Sequence, residues 1–339
     1  MRLFSKRKKR ILTGDNPTGR LHLGHYVGSL ENRVKLQDEY ETFIILADMH
    51  AFAYPKYVSD PGMVSESVLQ VIMDNLAVGL DPKKVSFFVE SGIPEIYELG
   101  IIFSMLVSHN RAMRNPTIKD EIRDKKMGEN FSLGFINFPI LQAADILCVK
   151  ADLVPVGEDQ LPHIEQTNEI GRRFNNLYGQ TFNEVEGRVG KVKRLVGTDG
   201  GAKMTKSIGN CIFLGDSEEV VRERVMAMFT DPKRIHATDP GTVEGNPVFV
   251  YHDTFNPNTG EVEDLKARYR EGQVGDVEVK ERLFTVLNEF LGPIREKRAY
   301  YEGHLDEVKD ILKEGTQKTR LETQKTLEEV KEKMKLFAL

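Results

Sequence analysis

The sequence predicts a doubly wound α/β fold, a Rossmann-like parallel sheet, followed by an all-helical C-terminal domain. Three observations carry this reading. Short apolar runs alternate with segments of helical period through the first part of the chain. The runs are continuous rather than alternating, as strands buried on both faces are. After about residue 215 this glycine-and-strand texture gives way to helical periodicity, so domains are expected at 1–215 and 216–339.

The elements follow in order. Ile11-Leu12 is an apolar step into Thr13–Leu30, TGDNPTGRLHLGHYVGSL, after which Tyr26, Val27, Leu30 and Val34 recur at helical spacing. Strand, tight loop and helix start is an arrangement that holds phosphate. Gly14, Gly19 and Gly24 permit close backbone approach, and the first-turn N–H groups of the helix attract anions. His22 and His25 flank Gly24, where imidazoles serve as donors to charge building on a phosphate. For the glycines alone, a plain strand-to-helix connection is the alternative.

Thr42–Ala53, TFIILADMHAFA, reads as a buried strand delivering Asp48 and His50 at its carboxyl end, where ligands of open α/β sheets bind. Val68, Ile72 and Leu76 mark a helix stopped by Gly79 and Asp81-Pro82, and Ser86–Val89 is the next strand. Glu95–Met113 reads as one long helix, followed by a mobile loop around Arg114, Thr117 and Lys119. A helix is expected from Pro139, a strand at Leu153–Val156 and a new helix opening at Glu158 and Asp159. Asp145 lies among Ala143, Ala144, Ile146 and Leu147, a setting in which a carboxylate is either paired or held for a ligand.

The turn cluster Gly197–Gly201 leads into Lys203-Met204-Thr205-Lys206-Ser207, a flexible loop with two lysines that alone would read as solvated surface. Beyond it, Leu283, Val286, Leu287 and Phe290 line a helix face, and Gly292-Pro293 is expected to kink or break that helix. Leu327, Val330, Met334 and Phe337 form a final apolar stripe, read as core packing.

Composition sets the bounds. With 339 residues, 40% hydrophobic and 29% charged, the chain has the make-up of a soluble globular protein. A net charge of -5 confines any nucleic-acid contact to a local basic patch and gives no reason to expect DNA binding. Arg222, Arg224, Lys233 and Arg234 form one basic group, and Lys6–Arg10 reads as solvated residues before an edge strand. Two distant cysteines suggest neither a disulfide framework nor a thiolate metal site, which fits a reducing cytoplasm. No signal peptide and no membrane span are expected.

His22-Leu23-Gly24-His25 resembles the HIGH element of class I aminoacyl-tRNA synthetases, and Lys203–Ser207 resembles their KMSKS loop with Thr205 replacing the first serine. Asn16-Pro17-Thr18-Gly19 and Val154–Gln160, VPVGEDQ, are similar to the tryptophanyl branch. The resemblance implies activation of tryptophan by ATP and transfer to tRNA(Trp), with Mg²⁺ on the phosphate oxygens and no metal held by the protein. His22, His25, Lys203 and Lys206 would be catalytic. ATP would be held by Asn16, Thr18, Gly24, Lys119, Gly157, Asp159, Met204 and Ser207. Tryptophan would be held by Asp145 at the indole N–H, by His50 and Gln160 at the amino and carboxylate groups, and by Phe138, Gln142, Val154 and Val156 around it. A homodimer and an anticodon-reading helical domain are further implications. Two cysteines cannot ligate the iron–sulfur cluster of some relatives. Phe138 and Gln142 stand where tyrosine and methionine are usual, and FPxxQAxD resembles tyrosyl enzymes. Tyrosine–tRNA ligation therefore remains an alternative, as does a catalytically silent tRNA-binding paralogue.

Overall fold

A computed structural model describes residues 7–124, 131–189, 195–201, 204, 206, 208–231, 234, 236 and 238–337. Five strands, β1 (Arg10–Asp15), β2 (Glu41–Leu46), β3 (Val85–Val89), β4 (Leu153–Val156) and β5 (Glu186–Val189), form one sheet in the order β3-β2-β1-β4-β5. All pairings are parallel, with Leu12 opposite Phe43, Phe43 opposite Ser86 and Ile11 opposite Leu153. Every side chain from Thr42 to Leu46 is buried, as a continuous apolar run requires when helices cover both faces. Leu12, Phe43, Phe88, Leu99, Phe103, Leu147 and Phe174 belong to the principal core between sheet and helices.

Local chemistry moves several boundaries. The expected long helix is Pro94–Ser104 followed by a short turn of helix at His109–Ala112, whose start is capped by Ser108. The expected mobile loop is the helix Pro116–Asp124, begun where Asn115 accepts from the Thr117 N–H and held by Ile118 and Ile122 against aromatic neighbours. Ser132 caps the Leu133–Cys148 helix ahead of Pro139, which lies inside it. Gly292-Pro293 likewise sits inside the helix Asp276–Glu302.

The chain forms two compact units: Met1–Gly19, Asn32–Lys191 and His304–Leu339 make one, Arg20–Glu31 and Val192–Gly303 the other. The linear division expected at residue 215 therefore differs from the observed one. Its cause lies in the last helix, Leu305–Lys333, which returns to the sheet. β3 is an edge strand, and an uncovered edge presents unpaired backbone groups. Here the Val89 N–H donates to Thr316 Oγ1 at 3.2 Å, and Thr319 and Thr323 are buried one and two turns further on. Arg320 pairs with Glu95 at 2.9 Å and Arg10 with Glu322 at 2.7 Å. Leu327 and Val330 enter the core and Met334 packs against it, whereas Phe337 is 90% exposed, so the predicted stripe ends one residue early.

The second unit is helical. Helices Glu218–Met226, Pro247–Phe255, Thr259–Arg270 and Asp276–Glu302 bury Val221, Val225, Phe249, Leu283, Leu287 and Leu291. The buried Lys280 ammonium donates to the carbonyls of Met226 and Met228 and to Thr230 Oγ1, satisfying the end of the first of these helices.

Close approach of the last helix to β3 depends on Gly315. A Cβ there would lie 2.0 Å from the Phe87 carbonyl oxygen, which no rotamer change relieves. Gly315→Ala should cost about 1–3 kcal/mol or more of stability, read from urea denaturation. An unchanged midpoint would show that the helix does not clamp the edge.

Candidate active site

In the first unit the sheet reverses its direction of growth at β1, with β2 on one side and β4 on the other, so the crevice at the strands' carboxyl ends is the place for a ligand. The groups there come from strand ends and from the Leu133–Cys148 helix. β1 ends on Asp15, whose oxygens take two bonds from the buried Arg33 guanidinium at 2.6 and 3.0 Å and one from Asn75 at 3.0 Å. Arg33 also donates to the Gly14 carbonyl at 2.8 Å, so charge pairing and main-chain anchoring fix the end of the strand together. Sequence reasoning did not single out this pair, although Arg33 falls one turn after Leu30 on a face that should be apolar. Beyond it, Asn16 is exposed and its carbonyl accepts from the Thr18 N–H at 2.8 Å, a tight turn closed by Gly19 at φ 106°.

β2 delivers Asp48 and His50, and the Leu133–Cys148 helix brings Phe138, Gln142 and Asp145 along its length. His50 Nε2 stands 3.0 Å from Asp145 Oδ2, and the Phe138 ring lies edge-on to His50 with centroids 6.1 Å apart. Three predicted residues thus meet. Asp145 is buried and its Oδ1 has no protein partner. Burial, and then the negative Asp48, hold its carboxyl well above the usual carboxylate range.

Glu90, just past β3, completes this group and was absent from the sequence reading. It is fully buried, 3.7 Å from His50 Nε2, and neither carboxyl oxygen makes a hydrogen bond. Desolvation first, then Asp145, push it up to about 8; His50 acts in the opposite direction without offsetting them. The His50 main chain leans toward Glu90 but does not reach hydrogen-bond geometry. The imidazole nitrogen and the two carboxylates lie within 4.8 Å of one another, and the buried, unpartnered Tyr97 hydroxyl senses both acids. Position alone could have raised Glu90: a carboxylate ending an apolar strand run at the ligand-binding edge.

The second unit holds both signature motifs. His22 pairs with Phe213 in an antiparallel bridge, the Leu23 N–H donates to the Ile212 carbonyl at 3.0 Å, and the Leu214 N–H to the Leu21 carbonyl at 3.0 Å. This pairing ties the first motif to the segment that follows the lysine loop. The base of that loop is closed by the Thr198 N–H on the Asn210 carbonyl and by Asn210 Nδ2 on Asp199, at 3.0 and 2.9 Å. Met204 is buried, and its sulfur would be 3.5 Å from a Cβ added to Gly24.

The imidazoles are oriented by the backbone. His22 Nδ1 accepts from the Gly24 N–H and His25 Nδ1 from the His22 N–H, both at 3.2 Å, with ring centroids 3.9 Å apart. A nitrogen that accepts carries no proton, so the neutral rings are protonated at Nε2, which makes those nitrogens donors.

The other predicted positions are distributed as follows. Gly157 precedes the 3-10 turn Glu158–Gln160, Val154 is buried and Val156 half-buried on β4, and Gln142 is half-buried on its helix. Lys119 is exposed on a helix rather than a loop. Lys206 is half-buried, while Lys203, Ser207 and the Asp159 side chain lie outside the described residues. The basic group is divided: Arg222 pairs with Glu281 on the surface, Arg224 holds the Cys211 carbonyl, and buried Arg234 pairs with Asp276 and covers the Tyr269 ring at 4.0 Å. Lys233 is outside the described residues.

Comparison with known proteins agrees with both motifs. The family model for tRNA synthetases class I (W and Y) matches residues 5–292. A tryptophan–tRNA ligase of Chlamydia caviae is 48% identical over 333 residues, 97% of this chain and 96% of that protein. That of Clostridium longisporum is 49% identical over 331 residues, 96% of each. The crystal structure of tryptophanyl-tRNA synthetase from Campylobacter jejuni complexed with ADP and tryptophan superposes with a TM-score of 0.86 at 32% identity, covering 96% of this chain and all of that one. The chain, with its first motif bridged to the segment that follows the second and its sheet order reversing at β1, belongs to the class I tRNA synthetases of the tryptophan and tyrosine branch.

Proposed function

We propose that this protein is a tryptophan–tRNA ligase: it activates tryptophan with MgATP and passes the aminoacyl group to tRNA(Trp). The observation that carries the choice of amino acid is Asp145, a buried carboxylate with one oxygen on His50 and the other without a protein partner. An indole N–H fills that vacancy; phenylalanine offers no donor, leaving the acceptor unsatisfied at a cost of about 1–3 kcal/mol, while tyrosine, whose hydroxyl can also donate, must be rejected by pocket length and shape.

In the first step a tryptophan carboxylate oxygen bonds to the α-phosphorus as the α–β bridging bond breaks and pyrophosphate departs. In the second, the terminal ribose hydroxyl of tRNA attacks the acyl carbon and AMP leaves. Neither step needs a nucleophilic side chain; alignment and donors aimed at developing negative charge suffice. His22 and His25 present Nε2–H groups for this, with Lys203 and Lys206 assigned to the pyrophosphate. Mg²⁺ arrives with ATP on the phosphate oxygens. Asn16, Thr18, Gly24, Gly157, Asp159, Met204 and Ser207 are assigned to the nucleotide, and Lys119 to a further phosphate contact. His50 and Gln160 are assigned to the amino and carboxylate groups, and Phe138, Gln142, Val154 and Val156 to the ring.

The helical unit is assigned to the anticodon, to be read by stacking and edge contacts; buried Arg234 is committed to Asp276, whereas Arg222 stays exposed beside Glu281. Association as a homodimer is supported by Ile101 and Met105, 59% and 77% exposed one helical turn apart. No helix among the described residues is long and apolar enough to cross a membrane, which agrees with work in the cytoplasm.

Amino-acid-dependent ATP–pyrophosphate exchange tests the assignment: tryptophan should drive it and tyrosine should not. Exchange with tyrosine alone would transfer the chain to the other branch. Gly24→Ala sets a methyl 3.0 Å from the His22 ring and should lower kcat of exchange by tenfold or more with little change in KM for tryptophan. Equal kcat in variant and parent would remove His22 from the reaction.

A further inference from the structure

We propose that Glu90 is a positioning residue of the amino-acid site that holds a proton shared with Asp145, so that the pair carries a single negative charge when tryptophan binds. This rests on the amino-acid assignment above and extends it to a residue outside both signature motifs.

Hydrogen-bond accounting carries the inference. Glu90 and Asp145 together present four carboxyl oxygens inside a buried group, and only Asp145 Oδ2 has a donor, His50 Nε2. The groups facing the pair do not supply the rest. From the segment after β2 come His50 and Asp48, the latter already accepting from the Ser91 N–H and hydroxyl at 2.9 and 2.5 Å. The Pro94–Ser104 helix contributes the Tyr97 hydroxyl, and the Leu133–Cys148 helix contributes Cys148, whose thiol donates to the Asp145 carbonyl. Arg10 acts on Cys148 from the sheet and makes no bond to either acid. Two ionised carboxylates in such a place would repel with only His50 to offset them, and sharing one proton is the way such pairs persist.

Division of labour follows. A protonated Glu90 is neutral and donates, leaving Asp145 ionised and free to accept the indole N–H. Losing the proton places a second charge beside Asp145 and the ring, so tryptophan binding weakens as pH rises. The direction is fixed by the raised carboxyl: the favourable, protonated form exists below the folded-state titration and is lost above it.

Glu90→Gln mimics the protonated acid at every pH. In wild type, kcat/KM for tryptophan in pyrophosphate exchange should fall about tenfold per unit along an alkaline limb; in the variant that limb should move up by at least one unit. The titration of the substrate ammonium is common to both enzymes and cancels. Calorimetry of tryptophan binding to wild type in two buffers of different ionisation heat should show proton uptake on the alkaline side, and this needs no variant. With no ligand present, the melting temperature of wild type should fall relative to Glu90→Gln between about pH 5 and 8, from the unfolded titration of the carboxyl to the folded one, and level off above it. An unmoved limb, or tryptophan binding without proton uptake, overturns the proposal while wild-type exchange stays active. Absence of tryptophan-dependent exchange in wild type would instead sink the assignment of function.

Discussion

A carboxylate buried among alanine, isoleucine and leucine side chains must be answered by a donor, and Asp145 is answered on one side only. Its helix supplies the apolar surroundings, and β2 supplies His50 as the single protein donor. This imbalance governs the amino-acid site. On the proposed assignment it selects a ring that carries a hydrogen-bond donor, it makes a second acid at Glu90 tolerable only with a proton, and it ties recognition to pH.

The fold supplies the positions. A parallel sheet whose order reverses at β1 delivers Asp15, Asp48, Glu90 and the turn after β4 to one edge, each from a different strand. The Arg33 pair stiffens the end of β1 from beneath, and the last helix closes the edge of β3 immediately before Glu90. In the helical unit, backbone pairing between residues 21–23 and 212–214 anchors the first signature motif to the segment that follows the second. The same backbone sets the tautomer of both neutral imidazoles by occupying each Nδ1, which leaves the Nε2–H groups as the donors that the proposed mechanism uses.

Much of this was legible in the residues. Apolar runs announced the first four strands but not β5, whose residues EGRV are mostly exposed, and His50, Phe138 and Asp145 were found as a set that the structure brings together. What was not legible depends on long-range contact. Glu90 looked like the end of a strand, since its neighbours His50 and Asp145 are remote in sequence. The final helix read as part of a separate domain because the face it turns to β3 is glycine and threonine, and only small residues permit that approach. Arg234 looked like solvated basic surface until Asp276 and the Tyr269 ring were placed beside it.

The most direct test of the central claim removes the donor from the substrate and keeps its shape. In pyrophosphate exchange, the benzothiophene analogue of tryptophan, with sulfur in place of the indole N–H, should show kcat/KM lower than tryptophan by about a hundredfold or more. Equal values for the two would contradict the account, because Asp145 would then have no unsatisfied oxygen for the ring to meet.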